Sequence, residues 1–283
     1  MPSLKRKTLN WILTPATGLI HHYQKLTWHH RSLPDFIIIG AQKSGTSSLY
    51  DYLSEHPQLM ASSKKEVHFF DGGMSPKIDN FEKGEAWYRS HFPTMEKVGN
   101  CKTYEASPIY LFNPLVPKRI ADLLPQVKLI AILRNPTERA ISHYFHVKRN
   151  GYESLSLMEA LLQEEQRLAS IIRDGNYKNN AFIRHSYKSR GLYKEQLQRF
   201  FAYFSPQQML ILNSEAFFSH PNEFLQQIFE FVGVDPFEVR DLRPRNVASN
   251  KSKVEPEVYS YLNDYFRPHN RELYDLLGKD YRW

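Results

Sequence analysis

The chain has 283 residues, of which 41% are hydrophobic and 14% aromatic, enough to bury an α/β core and too apolar for a disordered or low-complexity protein. Its 37 Lys+Arg against 30 Asp+Glu leave a net charge of +7, which favours an anionic partner without naming one. Cys101 is the single cysteine, which excludes an intramolecular disulfide and a cysteine-built zinc site.

Residues 1–33 read as an N-terminal helical extension. Lys5, Arg6 and Lys7 precede a mixed stretch broken by Pro15 and Gly18, too short and too polar for a bilayer span or a secretory signal. Its basic, partly apolar character suits peripheral contact with a membrane surface. The expected location is the cytoplasm, with a Golgi lumen only if an anchor lies outside this sequence. Residues 34–283 read as one domain, since no internal repeat and no Pro/Gly/Ser linker divides them.

Within that domain, residues 35–39, 128–133 and 209–212 are short, β-rich and bounded by turn residues, as buried parallel strands are. Asn113 before Pro114, and Asn135 before Pro136, each place an N-cap ahead of a proline at the first helical position; the first helix is predicted to run to Leu124. Apolar spacings of three and four predict helices over 156–172, 192–204, 221–231 and 255–277. Strands separated by such helices predict an α/β fold: a single P-loop-type domain with a central parallel sheet and helices on both faces. Ligands of such folds sit at the carboxyl ends of the strands.

At the end of the first strand, Gly40 and Gly45 hold the spacing of a nucleotide phosphate loop, and Ser44, Thr46, Ser47 and Ser48 add hydroxyl donors at a helix start. An ATPase loop would place lysine after the second glycine and a magnesium-binding aspartate at a later strand end. Here Thr46 takes the lysine position, the basic residue is Lys43 inside the loop, and the strand ending at Leu133 delivers Arg134. An arginine in that place suits an additional anion and argues for no metal.

These segments resemble the family of sulfotransferases that use 3′-phosphoadenosine 5′-phosphosulfate (PAPS). Residues 40–49 resemble its 5′-phosphosulfate loop, and residues 129–136 with Arg139 and Ser142 resemble its 3′-phosphate motif. Glu66-Val67-His68-Phe69-Phe70-Asp71 is similar to the heparan sulfate (glucosaminyl) branch, and the resemblance runs from about Pro34 to Trp283. It implies the PAPS-binding sulfotransferase fold and transfer of a sulfuryl group to a hydroxyl or amine of a saccharide or glycolipid, with adenosine 3′,5′-bisphosphate (PAP) released.

By the same resemblance Lys43 stabilises the leaving phosphate, Arg134 and Ser142 bind the 3′-phosphate, and Glu66 is the base, with His68 and Asp71 in the catalytic cleft. If residues 66–68 are extended, Glu66 and His68 share a face. The plainer alternatives are a surface ion pair of Glu66 with Lys64 or Lys65, a satisfied core histidine at His68, and Arg134 pairing with Glu138 or capping a helix elsewhere. Lys251, Ser252 and Lys253 belong to a basic loop that in this family closes over PAPS. Glu105 and Ser107 are expected in the cleft, Ser189, Arg190, Gly191 and Tyr193 near the nucleotide, and residues 72–92 and 154–183 around the acceptor. One departure stands out: the family commonly has lysine where this chain has Ala106. The competing readings are a nucleotide kinase or NTPase, which the loop and Arg134 disfavour, and a nucleic-acid-binding module. The latter lacks the basic, aromatic-studded face it needs, so no nucleic acid partner is expected.

Overall fold

A computed structural model describes residues 26–245 and 254–283. The expectations placed on residues 1–25 and on Lys251, Ser252 and Lys253 lie outside the described residues. Among the described residues, β1 (Phe36–Gly40), β2 (Leu59–Ala61), β3 (Lys102–Ala106), β4 (Lys128–Leu133) and β5 (Met209–Asn213) form one parallel sheet in the order β2-β3-β1-β4-β5. The twelve helices numbered here are α1 (Thr46–Leu53), α2 (Gly84–Arg89), α3 (Met95–Val98), α4 (Val116–Leu123), α5 (Pro136–Arg149), α6 (Leu157–Leu162), α7 (Glu164–Arg173), α8 (Asn180–Arg184), α9 (Tyr193–Phe201), α10 (Ser214–Ser219), α11 (Pro221–Val232) and α12 (Pro256–Leu277).

Strand side chains alternate between faces, and in this sheet both faces are apolar. Phe36 and Ile38 of β1, with Tyr104, Ala106, Ile130 and Ile132, pack against α1, α10 and α11 through Leu49, Phe217, Ile228 and Phe229. Ile37 and Ile39, with Leu129, Ala131 and Leu133, pack on the other face against α4, α9 and α12 through Ile120, Leu197, Phe200 and Leu273. A third cluster joins α5, α6 and α12 beyond the sheet through Ile141, Leu161 and Phe266. Gly191 makes that junction close, because a Cβ there would fall 2.7 Å from the Phe266 ring and 2.9 Å from Pro136.

The doubly covered parallel sheet matches the sequence expectation, and three of its strands begin and end within a residue of the predicted ones. β2 and β3 were not anticipated, because Lys-Thr-Tyr-Glu-Ala carries neither an apolar run nor an apolar alternation. The helix expected over 156–172 is two, α6 and α7, meeting at Gln163. Ser156 and Glu159 form a capping box that opens α6, while Glu164 turns inward at the start of α7 to accept the backbone N–H groups of Lys188 and Ser189. The helix expected from Pro114 starts at Val116, since the Asn113 side chain closes a turn on Leu115 N at 3.0 Å instead of capping.

Asn135 caps as expected: its Oδ1 accepts Thr137 N at 3.0 Å and Glu138 N at 3.2 Å, and Pro136 follows as the first helical residue. Replacing Asn135 by alanine should lower stability by about 1 kcal/mol, the usual cost of losing such a cap, read as a shift in the urea unfolding midpoint. An unchanged midpoint would show that the cap is idle.

Candidate functional site

The carboxyl ends of β1, β4 and β5 open onto a cavity of about 700 Å³. Its floor is the loop between β1 and α1, where Lys43 and Gly45 have φ of 71° and 98°. At Gly45 a side chain is excluded twice over, since a Cβ would also lie 2.7 Å from the Phe218 ring. The loop is clamped from two strands: Ser214 Oγ, following β5, donates to Ser44 O at 2.8 Å, and Arg134 Nη1, following β4, donates to Lys43 O at 3.0 Å. Gln42, Lys43, Ser44, Gly45, Thr46 and Ser47 line the cavity. Ser48 does not; its hydroxyl is buried and accepts Arg245 N at 2.8 Å.

Arg134 and Ser142 line the same cavity, so the strand end and the second turn of α5 converge as expected. Arg134 also pairs with Glu138 at 3.2 Å, so its pairing and its place at the site coexist. Continuing along the face of α5 by helical spacing, His146 and Arg149 line the cavity as well. Burial, then the charges of Arg149, Arg134 and Arg139, lower the pKa of Lys43, against a smaller opposing pull from Glu66. Burial, followed by Lys43 and Arg149, holds His146 below its ordinary value, so it is a neutral imidazole at pH 7.

Glu66 lines the same cavity as these cationic residues. The segment carrying it is not extended: Glu66 and His68 sit at φ of 58° and 57°. Its backbone is held by the end of β3 and the turn after it, with Glu66 N donating to Ala106 O at 3.0 Å and His68 N to Ser107 Oγ at 3.3 Å. The two side chains still meet, with His68 Nε2 3.3 Å from Glu66 Oε2 and His68 Nδ1 2.9 Å from Asp71 Oδ2. Burial opposes charge on His68, but hydrogen bonds to Asp71 and Glu66 overcome it and raise its pKa to about 9. Burial likewise pushes Glu66 up, yet His68 and Lys65 outweigh it and hold the carboxyl below its ordinary value. At neutral pH the group is an ionised Glu66 braced by an imidazolium, which in turn rests on buried Asp71.

The residues present fit an adenosine 3′-phosphate 5′-phosphosulfate. Buried Ser44 Oγ has no partner, α1 begins directly after the loop, and Lys43, Arg134 and Ser142 line one space. The sequence matches the family profile described as sulfotransferase domain over residues 33–273. The chain belongs to the sulfotransferase domain family. Among solved structures, a sulfotransferase from Alicyclobacillus acidocaldarius aligns with a TM-score of 0.69 at 31% identity, covering 88% of this chain and 97% of that one. A mouse sulfotransferase complexed with PAP shares the fold at a TM-score of 0.52 and 15% identity, over 86% of either chain. Curated relatives include a bovine bifunctional heparan sulfate N-deacetylase/N-sulfotransferase, 30% identical over 87% of this chain, and a membrane-associated sulfotransferase of Dictyostelium discoideum, 27% identical over 89%. The chain spans 30% of the bovine enzyme's length and 66% of the Dictyostelium protein's.

Several residues of this sulfotransferase site lie outside the sequence expectation. His146 and Arg149 were readable as the helical continuation of Ser142, whereas Phe218 and Arg245 reach the cavity from distant segments with no local signal. Lys65, weighed only as a partner of Glu66, donates from Nζ to Ser47 Oγ at 2.5 Å and so sets an ammonium at the start of α1. Glu105 and Ser107 are buried and do not line the cavity; nor do Ser189, Arg190, Gly191 and Tyr193, or residues 72–92 and 154–183. Arg190 instead supports the loop from behind, donating to Gln42 Oε1 and to the carbonyls of Phe182 and Ile183, while Arg139 donates to Tyr187 O. Both guanidinium groups are buried, and neither has a carboxylate at ion-pair distance among the described residues.

Because the folded pKa of His68 lies above the ordinary 6.5, its charge stabilises the fold fully below pH 6.5, and that contribution is lost as pH rises toward 9. Asp71→Asn should therefore lower the imidazole pKa in an NMR titration and flatten the decline in stability between pH 6.5 and 9. A ring that titrates near 9 in both proteins would show that Asp71 does not brace it.

Proposed function

We propose that this chain transfers the sulfuryl group of PAPS to a hydroxyl, or an amine, of a saccharide or glycolipid acceptor. The observation that carries the reading is one cavity lined both by an ionised carboxylate and by a lysine, an arginine and a serine. The relatives support a saccharide, since those named for a substrate act on heparan sulfate, and the mouse structure with PAP supports the nucleotide. The strand-end Arg134 and the Thr46 that replaces an ATPase lysine weigh against a kinase.

PAPS supplies the sulfuryl group and leaves as PAP. Glu66 takes the proton of the acceptor hydroxyl while the new S–O bond forms and the S–O bond to the 5′-phosphate breaks, its electron pair staying on the phosphate oxygen. The His68 imidazolium cannot itself accept a proton; it keeps Glu66 aimed and ionised. Lys43 meets the charge that gathers on the leaving oxygen, together with the N–H groups at the start of α1. Arg134 and Ser142 hold the 3′-phosphate, and the faces of Phe218 and Pro244 suit a flat base.

Ala106, where the family commonly has lysine, is fully buried in the core face that packs on α1. Lys65 delivers an ammonium to the same loop by way of Ser47, so donor chemistry does not depend on position 106. The basic rim of Lys43, Arg134 and Arg149 favours an acceptor that bears anionic groups.

Two measurements test this reading. Glu66→Gln should slow transfer by about 10²–10⁴-fold with little change in PAPS affinity, whereas Lys43→Ala should lower the rate and weaken PAPS as well. Near-full turnover in Glu66→Gln would remove Glu66 as the base. In calorimetry PAP should bind far better than adenosine 5′-monophosphate, and Arg134→Ala should erase most of the difference. Equal affinities in the unaltered protein would leave the 3′-phosphate without a site.

A further inference from the structure

The mechanism leaves several buried carboxylates unused, and one of them is tied to the segment that carries Glu66. Glu105 lies on β3, has no solvent exposure and is absent from the cavity wall. Three hydroxyls converge on it: Tyr88 of α2 donates to Oε1 at 2.6 Å, Ser107 to Oε2 at 2.9 Å and Tyr110 to Oε1 at 3.3 Å. Two of them have a second task. Ser107 Oγ accepts His68 N at 3.3 Å, and the Tyr110 hydroxyl accepts Phe69 N at 2.9 Å and Phe70 N at 3.4 Å. Each relays between the carboxylate and the backbone that presents Glu66 and His68. That backbone needs the support, because non-glycine residues at positive φ persist only where their surroundings hold them.

The relay has a direction. A hydroxyl owns one proton, so while it donates to the carboxylate its lone pairs stay available to the amides. Ionised Glu105 accepts all three protons. Protonated Glu105 donates instead to one of those same hydroxyls, whose own proton then loses its acceptor, and the bonds from the others lose their charge assistance, so Ser107 and Tyr110 are held less firmly under the amides.

Accepting the reaction proposed above, we propose that Glu105 is a positioning residue. Its negative charge, relayed through Ser107 and Tyr110, locks the 66–70 backbone that aims Glu66, and loss of that charge sets the acid limb of transfer. Burial raises its pKa to about 7 against the pull of Tyr88, Ser107, His68 and Tyr110. The ionisable groups around it are Tyr88, Tyr110 and His68, with Asp71 beyond Tyr110 and Tyr50 of α1 within range. Burial raises both Tyr88 and Tyr110, which therefore remain hydroxyl donors. Glu66 is held low, so an acid limb near 7 cannot be its own. The charge also works against the fold: with a folded pKa above the ordinary 4.5, Glu105 makes stability fall as pH rises from 4.5 to about 7.

The test compares the rate against pH for the unaltered protein and for Glu105→Gln, with PAP affinity measured in parallel by calorimetry. The unaltered rate should fall about tenfold per pH unit below about 7 at constant PAP affinity. Glu105→Gln should be about 10–100-fold slower above that limb, should lose the limb, and should bind PAP as before. A second readout needs no turnover: the His68 ring signals in NMR should show a step near pH 7 that disappears in Glu105→Gln. Ser107→Ala keeps the carboxylate and removes one relay, so it should slow transfer about tenfold and retain the limb. A limb and an NMR step that survive Glu105→Gln, or full speed in Ser107→Ala, overturn the proposal. If no acceptor is ever sulfated, the function reading fails, and the His68 step still decides the role of Glu105.

Discussion

Everything at the site follows from β1 being hydrogen-bonded on both edges and covered on both faces. A strand in that position has no outlet for polar groups along its length, so chemistry is confined to where it ends. Its neighbours end beside it. β4 delivers Arg134, β5 delivers Ser214, and β3 delivers Glu105 and the turn of Ser107 and Tyr110. The phosphate loop is therefore clamped by the strands next to its own, and the base segment is laid across the end of β3.

The charges are layered. Behind the loop stand Arg139 and Arg190; at the cavity are Lys43, Arg134 and Arg149; there too Glu66 begins a row with the His68 imidazolium and Asp71 in alternating sign. Alternation keeps the base ionised without letting its charge spread, because each carboxylate oxygen facing His68 has a donor of fixed position. On the cationic side only Arg134 has a carboxylate at ion-pair distance among the described residues, and the remaining excess suits a substrate with several negative charges.

Features written in local sequence were legible, and those created by remote contacts were not. Small residues between Gly40 and Gly45, Arg134 at a strand end, and Asn135 before Pro136 each state their own conformation, and each stands where expected. The pairing of Glu66 with His68 was anticipated on an extended backbone, yet it arises from two left-handed residues. The difference comes from the end of β3 and the turn after it, whose carbonyl and hydroxyls take the N–H groups of that segment. β3 itself was illegible, because its Lys-Thr-Tyr-Glu-Ala owes its burial to β1 and β2 on either side. Phe218 and Arg245 come to the cavity through tertiary folding alone.

The two sealed guanidinium groups behind the loop bear on how long the molecule survives. Arg139 Nε and Nη1 and Arg190 Nε have no hydrogen-bond partner, and the nearest opposing charge, buried Glu164, acts on both only from beyond ion-pair distance, so the folded chain carries a poorly compensated positive interior behind the loop. A polyanionic nucleotide relieves that field only in the native state, and whatever binds the native state alone shifts the population toward it. Under the reaction proposed above, the chain is therefore least stable where the sulfated nucleotide and its bisphosphate product are scarce.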